Sequence, residues 1–318
     1  MANPTMANVD NVLAYSPQQA IELVSRAGVK KANMRPEKIF LSACSAGALL
    51  GFAGACTLSI NASPWYADNA PGLLRMIGAS VFPLGLVMIV LTGADLFTGT
   101  NMYTAVAALD RRISVWKMLI HWVLCFWGNL AGALFLMAII FGYGGVFEAD
   151  PYLSAVQTFV HKKQAVPAFY QIFLKAIGCN WLVCLACYLG MQGRDLASKV
   201  IGLWWPIFAF VSLGLDHVVA NMFIIPMGIW LQTPDVTVAL YIWKGIIPAA
   251  LGNMLGGALF CGMYYWWMYS CGEQPIAVDG VYYGSHIGMP AIAEPRERSK
   301  DLEHGQVGSE SENRASLV

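Results

Sequence analysis

The chain predicts an all-α membrane protein of six transmembrane helices, two of them broken, arranged as inverted three-helix repeats. Three observations predict it. Hydrophobic residues fill 57% of the 318 positions and charged residues 12%, a balance too apolar for a water-soluble fold of this length. Six apolar stretches each reach the ~20 residues that a helix needs to cross hydrocarbon. Two of them are interrupted at matching places by polar segments, GADLFTGTN at 93–101 and GLDHVVAN at 214–221. Each interruption is followed by a near copy of one phrase, GNLAGALF from Gly128 and GNMLGGALF from Gly252.

Residues 1–37 form an N-terminal segment whose first 15 positions read as loosely structured. Ser16, Pro17 and Gln19 then mark a helix start with a capping box. The short amphipathic helix that follows is expected to rest Ile21, Leu23, Val24 and Ala27 on the membrane surface, with Arg26, Lys30 and Lys31 toward anionic headgroups. An ordinary solvated helix is the alternative. Residues 38–270 hold the spans, at about 38–60, 72–109 (broken), 114–142, 167–190, 198–230 (broken) and 238–270. The first is too long for a signal-peptide core and follows a charged segment. Three spans per half is an odd number, so the second half enters from the opposite face. Residues 271–318 form a hydrophilic tail, charged and Ser-rich from Glu294 onward and expected to be disordered.

Net charge is zero, and nucleic acid is not expected as a partner. Arg26, Lys30, Lys31, Arg35, Lys38, Arg111, Arg112, Lys117, Arg194, Lys199 and the tail cations fall on one side, against Lys162, Lys163 and Arg75 on the other. The positive-inside rule then places both termini in the cytoplasm, and the plasma membrane is the expected location. Trp65, Tyr66 and Trp230 near one face, and Tyr264–Trp267 with Tyr269 near the other, fit aromatic belts. Asn61 opens a glycosylation sequon on the outer side, in a short loop before Pro64. Seven of the eight cysteines lie in apolar spans and read as small packing residues. Glycine pairs at 47 and 51, 128 and 132, and 252 and 256 have the spacing that lets helix backbones approach. No metal site or cofactor is expected.

Broken helices at corresponding places of two repeats point to a solute site midway across the bilayer. An ionisable group at that depth is costly and faces a cavity or a partner. His217 lies in the second break beside Asp216 and before Asn221, and its side chain exchanges a proton near neutrality. Asp95 and Asp216 occupy equivalent places and are expected to anchor the loops by accepting backbone N–H groups. Asn129 and Asn253 are expected to support the breaks by hydrogen bonds. Thr98 and Thr100 offer hydroxyls, Gly93 and Gly99 unusual backbone freedom, and the restarting half-helices aim partial positive charge at the centre. An anion is the natural guest. Lys163 and Lys175, with Lys162, are candidate vestibule cations, with plain surface charge or snorkelling as the alternative for each. Phe82, Leu86, Leu96, Phe97, Phe210 and Val183 are candidates to narrow the path, with ordinary packing or lipid contact as the alternative for each.

At GADLFTGTNM, together with CNWLVCLACYL at 179–189 and GLDHVVANMFIIPMGI at 214–229, the chain resembles the formate/nitrite transporters, over about residues 38–270. Its hydrophilic tail resembles that of fungal members. The resemblance implies a homopentamer of aquaporin-like protomers, each with its own pore. It implies that His217 is the central pore histidine, that Thr98 faces it, and that Asn180 and Asn253 are neighbouring polar groups. It assigns Phe82 and Phe210 to an outer constriction, and Leu86, Leu96 and Phe97 to an inner one. The family often carries Glu before its histidine; this chain has Asp216.

The implied activity is passage of a small weak-acid anion, nitrite ahead of formate, with a proton supplied through His217. Its partners are then nitrite or formate, protons, membrane lipids and further copies of itself. A pH-gated anion channel is the alternative mechanism. A membrane-embedded enzyme is disfavoured because the chain has no HExxH and no GxSxG, and a scaffold without transport leaves the two polar breaks unexplained.

Overall fold

Backbone amides left unpaired in hydrocarbon cost several kcal/mol each, roughly, so an apolar chain closes its hydrogen bonds within helices. The computed structural model describes residues 14–282, and among them the β pairing consists of isolated bridges, Ala14 with Gly193 and Val278 with Val281. The helices in chain order are α1 (Pro17–Ala32), α2 (Pro36–Asn61), α3 (Pro64–Asn69), α4 (Pro71–Thr92), α5 (Phe97–Leu109) and α6 (Val115–Gly142). They continue as α7 (Tyr152–Val160), α8 (Phe169–Gln192), α9 (Leu196–Ser212), α10 (Val218–Trp230) and α11 (Val238–Tyr269). Helices α2, α4, α6, α8 and α11 are each long and apolar enough to cross a membrane, whereas α9 and α10 are apolar but shorter. The stretch expected as a sixth crossing at 198–230 is two shorter helices, neither long enough to cross alone.

Each half is held together by one close helix pair. A Cβ on Gly128 would lie 2.6 Å from the carbonyl oxygen of Phe40, and one on Gly132 would lie 1.8 Å from that of Cys44. In the second half, a Cβ on Gly252 would lie 2.4 Å from the Phe173 oxygen and one on Gly256 2.2 Å from that of Ile177. The repeated phrase thus brings α6 onto α2 and α11 onto α8 by one device, backbone against backbone.

Helix α1 departs from its expected place. The capping box is present, Ser16 Oγ accepting from the Gln19 N–H at 3.2 Å and Gln19 Oε1 from the Ser16 N–H at 3.0 Å. Its apolar stripe, however, packs against protein: Ala20, Ile21, Val24, Ser25 and Gly28 are buried, with Gly28 pressed on the Tyr103 carbonyl of α5. Arg26 pairs with Glu22 at 2.7 Å, and Lys31 points inward. A membrane-surface helix and a helix laid in a protein groove need the same amphipathic pattern, so the sequence does not separate them.

Residues 271–282 return over α1. Gln19 Nε2 donates to the Ala277 carbonyl at 3.2 Å, and the Tyr15 hydroxyl donates to Asp279 Oδ2 at 2.6 Å. Arg194 donates to Asp279 Oδ1 at 2.5 Å. The Tyr15 hydroxyl, then Arg194, hold the Asp279 carboxyl below its ordinary 3.8. The expected disorder from Glu294 onward, and most of the loosely structured N-terminal stretch, lie outside the described residues.

Candidate functional site

Both breaks start at a glycine in the left-handed region, Gly93 with φ +80° and Gly214 with φ +68°, a conformation that side chains other than glycine rarely adopt. The chain then runs extended to Leu96 and His217, which cap α5 and α10 respectively. Gly99, expected to need the same freedom, sits in α5 instead. Thr100 does not offer its hydroxyl to a guest, because it donates to the Phe97 carbonyl of its own helix at 3.0 Å.

One asparagine braces each restart. Asn129 Oδ1 accepts the Phe97 N–H at 2.8 Å while its Nδ2 donates to the carbonyls of Asp95 at 2.9 Å and Ala43 at 2.8 Å. Asn253 repeats the pattern, accepting the Val218 N–H at 2.8 Å and donating to Asp216 at 3.0 Å and Ala176 at 2.8 Å. Each amide ties a first-turn N–H, an extended carbonyl and a neighbouring span. That satisfies backbone groups which the unwinding strands in a dry interior.

The carboxylates differ from the expectation. Asp95 and Asp216 are buried, yet their side chains meet lysines in place of backbone N–H groups: Lys31 of α1 donates to Asp95 Oδ1, and Lys163 donates to Asp216 Oδ1 at 2.6 Å. The asparagines already hold the backbone, and a buried carboxylate without a counter-charge costs several kcal/mol, roughly. Lys163 sits on the wider turn His161–Ala165 that extends α7, so the short helix ahead of each half supplies a lysine to that half's break. The Lys163 charge, expected to be free in a vestibule, is thereby matched. Lys175 does not line the cavity described below.

Asn180 breaks the symmetry. In the first half, Gly47 lies so close to Asn129 that a Cβ would meet its carbonyl oxygen at 2.0 Å. Asn180 takes the corresponding place on α8, and its Nδ2 donates to the Asn253 carbonyl at 2.6 Å and the Thr98 carbonyl at 3.1 Å. Asn180 and Asn253, expected beside a solute, spend their amides on the backbone of the two breaks.

His217 joins the breaks. Its Nδ1 accepts the Ala220 N–H at 3.1 Å, capping α10, which places the ring proton on Nε2. Nε2 then donates to Thr98 Oγ1, 3.0 Å away on α5, and frees the threonine hydroxyl hydrogen for another acceptor. The imidazole stacks on Phe210 at 5.9 Å between centroids, and Phe210 meets Phe82 edge-on at 5.6 Å.

This row of rings closes the floor of a cavity of about 510 Å³ that opens at the end of the bundle opposite α1 and the returning segment. Phe82, Phe210, His217, Asn221 and Lys163 line it, and so does Asn61, whose amide donates to the Thr57 carbonyl at 2.8 Å. Leu86, Leu96, Phe97 and Val183 lie outside that lining and are 1–4% exposed. The geometry therefore reads, from the open end inward, as an open cavity, an aromatic pair, an imidazole hydrogen-bonded across two helix N-termini, and an apolar layer. Such a layout admits a small anion to two positive half-helix ends and bars a hydrated ion from passing further. Sequence reasoning missed Lys31 as the partner of Asp95, and Arg75 as a lining residue beside Gly214. The signal available for Lys31 was its place ahead of the first span, matching Lys163 ahead of the fourth.

Comparison with known proteins agrees with this architecture. The family model described as formate/nitrite transporter matches residues 18–267. A probable formate transporter of Methanothermobacter thermautotrophicus is 35% identical over 267 residues, covering 80% of this chain and 97% of its own. Among solved structures, an FNT family ion channel superposes with a TM-score of 0.71 at 26% identity, covering 78% of this chain and 98% of the other. A pentameric formate channel with formate bound gives a TM-score of 0.65 at 29% identity, over 74% and 97%. The family consists of transporters and channels rather than enzymes, and this multi-pass membrane chain, with its paired breaks and its capped imidazole, belongs to the formate/nitrite transporter family.

Proposed function

We propose that the chain moves small monovalent weak-acid anions, nitrite ahead of formate, across the plasma membrane, with transport coupled to protons through His217. The observation that carries the reading is the Thr98–His217 contact of 3.0 Å at the floor of the cavity. A bare anion loses its hydration at the Phe82–Phe210 pair, a cost that burial without a full counter-charge does not recover. There it accepts from the freed Thr98 hydroxyl, whose oxygen the imidazole N–H holds in place. A proton taken from water and passed through the imidazole converts it to the neutral acid, which crosses the layer of Leu86, Leu96, Phe97 and Val183. Asn221 lines the approach, and Asn180, Asn253, Asp95 and Asp216 hold the two breaks in register. On this reading both termini face the cytoplasm and the cavity faces outward, an orientation that the cation-rich loops support. The pentameric formate channel and the exposed apolar flank, with Trp116 75%, Trp243 65% and Trp267 64% exposed, support a homopentamer of separate pores seated in lipid, α9 and α10 together making the sixth crossing.

A second reading, an anion channel in which His217 stays neutral and only donates, is favoured by the Nδ1 bond to Ala220, which a proton on Nδ1 would displace. His217→Asn separates the two, because Asn also caps a helix but does not titrate. In proteoliposomes carrying nitrite or formate, the coupled carrier predicts wild-type flux that rises as external pH falls and a loss of at least ~10-fold in the variant. Equal, pH-independent flux in both proteins would establish the channel. Nitrite half-saturating below formate supports the stated order of preference.

A further inference from the structure

The cavity ahead of His217 has an α4 wall carrying Arg75, Gly78 and Phe82, and a facing wall carrying Lys162 and Lys163. Spacings of three and seven put the α4 residues on one stripe, with Arg75 about 10 Å outward of Phe82. The cations of this cavity are unequal. Lys163 is committed to Asp216 at 2.6 Å. Arg75 and Lys162 are exposed, and neither makes an ion pair or hydrogen bond among the described residues. Asp68 is the acid that lines the cavity beside them, Asp216 being withdrawn behind Lys163. The Arg75 guanidinium lies over Gly214, the first residue of the second break: a Cβ there would sit 3.9 Å from its Cζ and from both terminal nitrogens.

We propose that Arg75 is the anion-binding residue of this cavity, gripping a planar anion with two equivalent oxygens before it reaches the Phe82–Phe210 pair. The inference rests on the transport reading above and deepens it. A guanidinium offers two parallel N–H groups at the spacing of a carboxylate or of O–N–O, whereas an ammonium is a point charge without that match. Lys162 draws anions in by charge alone; Arg75 adds a fitted grip. Its contact with solvent keeps the grip weak enough to release the anion inward.

The test compares Arg75→Lys, which keeps the charge and loses the fork, with Lys162→Gln, which loses a charge and keeps the fork. Initial rates of formate and nitrite uptake into proteoliposomes are measured against concentration. Arg75→Lys is expected to raise the half-saturating concentration of both anions ~5- to 10-fold, with the maximal rate within about twofold of wild type. Lys162→Gln is expected to raise it less than about threefold. An Arg75→Lys protein that saturates like wild type, or that loses no more than Lys162→Gln, overturns the inference while wild-type flux leaves the transport reading standing. Wild-type protein that carries neither formate nor nitrite sinks both.

Discussion

At the scale of single residues, the site depends on which polar groups hold backbone and which face the cavity. The asparagines of the repeated phrase do the first, and Asn253→Ala tests it. That change strands the Val218 N–H and the Asp216 carbonyl and removes the tie to the Ala176 carbonyl, which its own helix still engages. With about 1 kcal/mol or more for each stranded buried group, the loss should reach ~2 kcal/mol, read as a lowered unfolding midpoint of the purified protein in detergent. Asn253→Asp keeps the acceptor for Val218 but buries a charge against the two carbonyls with no counter-charge, so it should lose at least as much as alanine; a midpoint equal to wild type would show that the donors count for little. The asparagines, the histidine and the polar breaks are legible in the sequence because they sit in repeated or interrupted patterns. The role of the aspartates is not, because Lys31 lies 64 residues from Asp95 and Lys163 lies 53 from Asp216. Local pattern says that a carboxylate is buried, and only packing says what neutralises it.

At the scale of elements, the short helices α1 and α7 belong to the repeats rather than to their margins. Each lies ahead of a half, and each half takes a lysine from that region into its break. The sequence announces α1 by its capping box and apolar stripe, but periodicity reports that a face is apolar without reporting what covers it. Lys163→Met isolates the second tie. It leaves Asp216, 3% exposed, with a charge and no counter-charge beside a chain only 17% exposed. Breaking a buried pair by removing one partner costs ~3 kcal/mol or more, so Lys163→Met should destabilise strongly. Lys163→Met with Asp216→Asn should recover much of the loss. The difference, taken as a double-mutant cycle on unfolding midpoints, is expected to show a coupling above ~1 kcal/mol. Additive effects would mean that the turn after α7 and the second break are held independently.

At the scale of the whole molecule, a conduit between two inverted halves has its centre where the two breaks meet, so the halves have to carry equal constraints. The glycines supply the tightest comparison. An added Cβ at Gly132 or at Gly256 would penetrate a backbone oxygen, at 1.8 and 2.2 Å, and no rotamer change relieves a clash with backbone. The helix pair has to separate, which pulls Asn129 or Asn253 away from the break it braces. Gly132→Ala and Gly256→Ala should therefore each lower the unfolding midpoint by the equivalent of ~3 kcal/mol, at or above the upper end for overpacking. Each should also slow anion flux, although neither residue lines the cavity. Gly72, with nothing within 4 Å of a built Cβ, provides the control, since alanine there should change neither quantity. A large effect at Gly132 with none at Gly256 would make the second helix pair compliant. The Thr98–His217 contact would then be set by the first half alone, and the asymmetry introduced by Asn180 in place of Gly47 would have to carry the alignment of the second break.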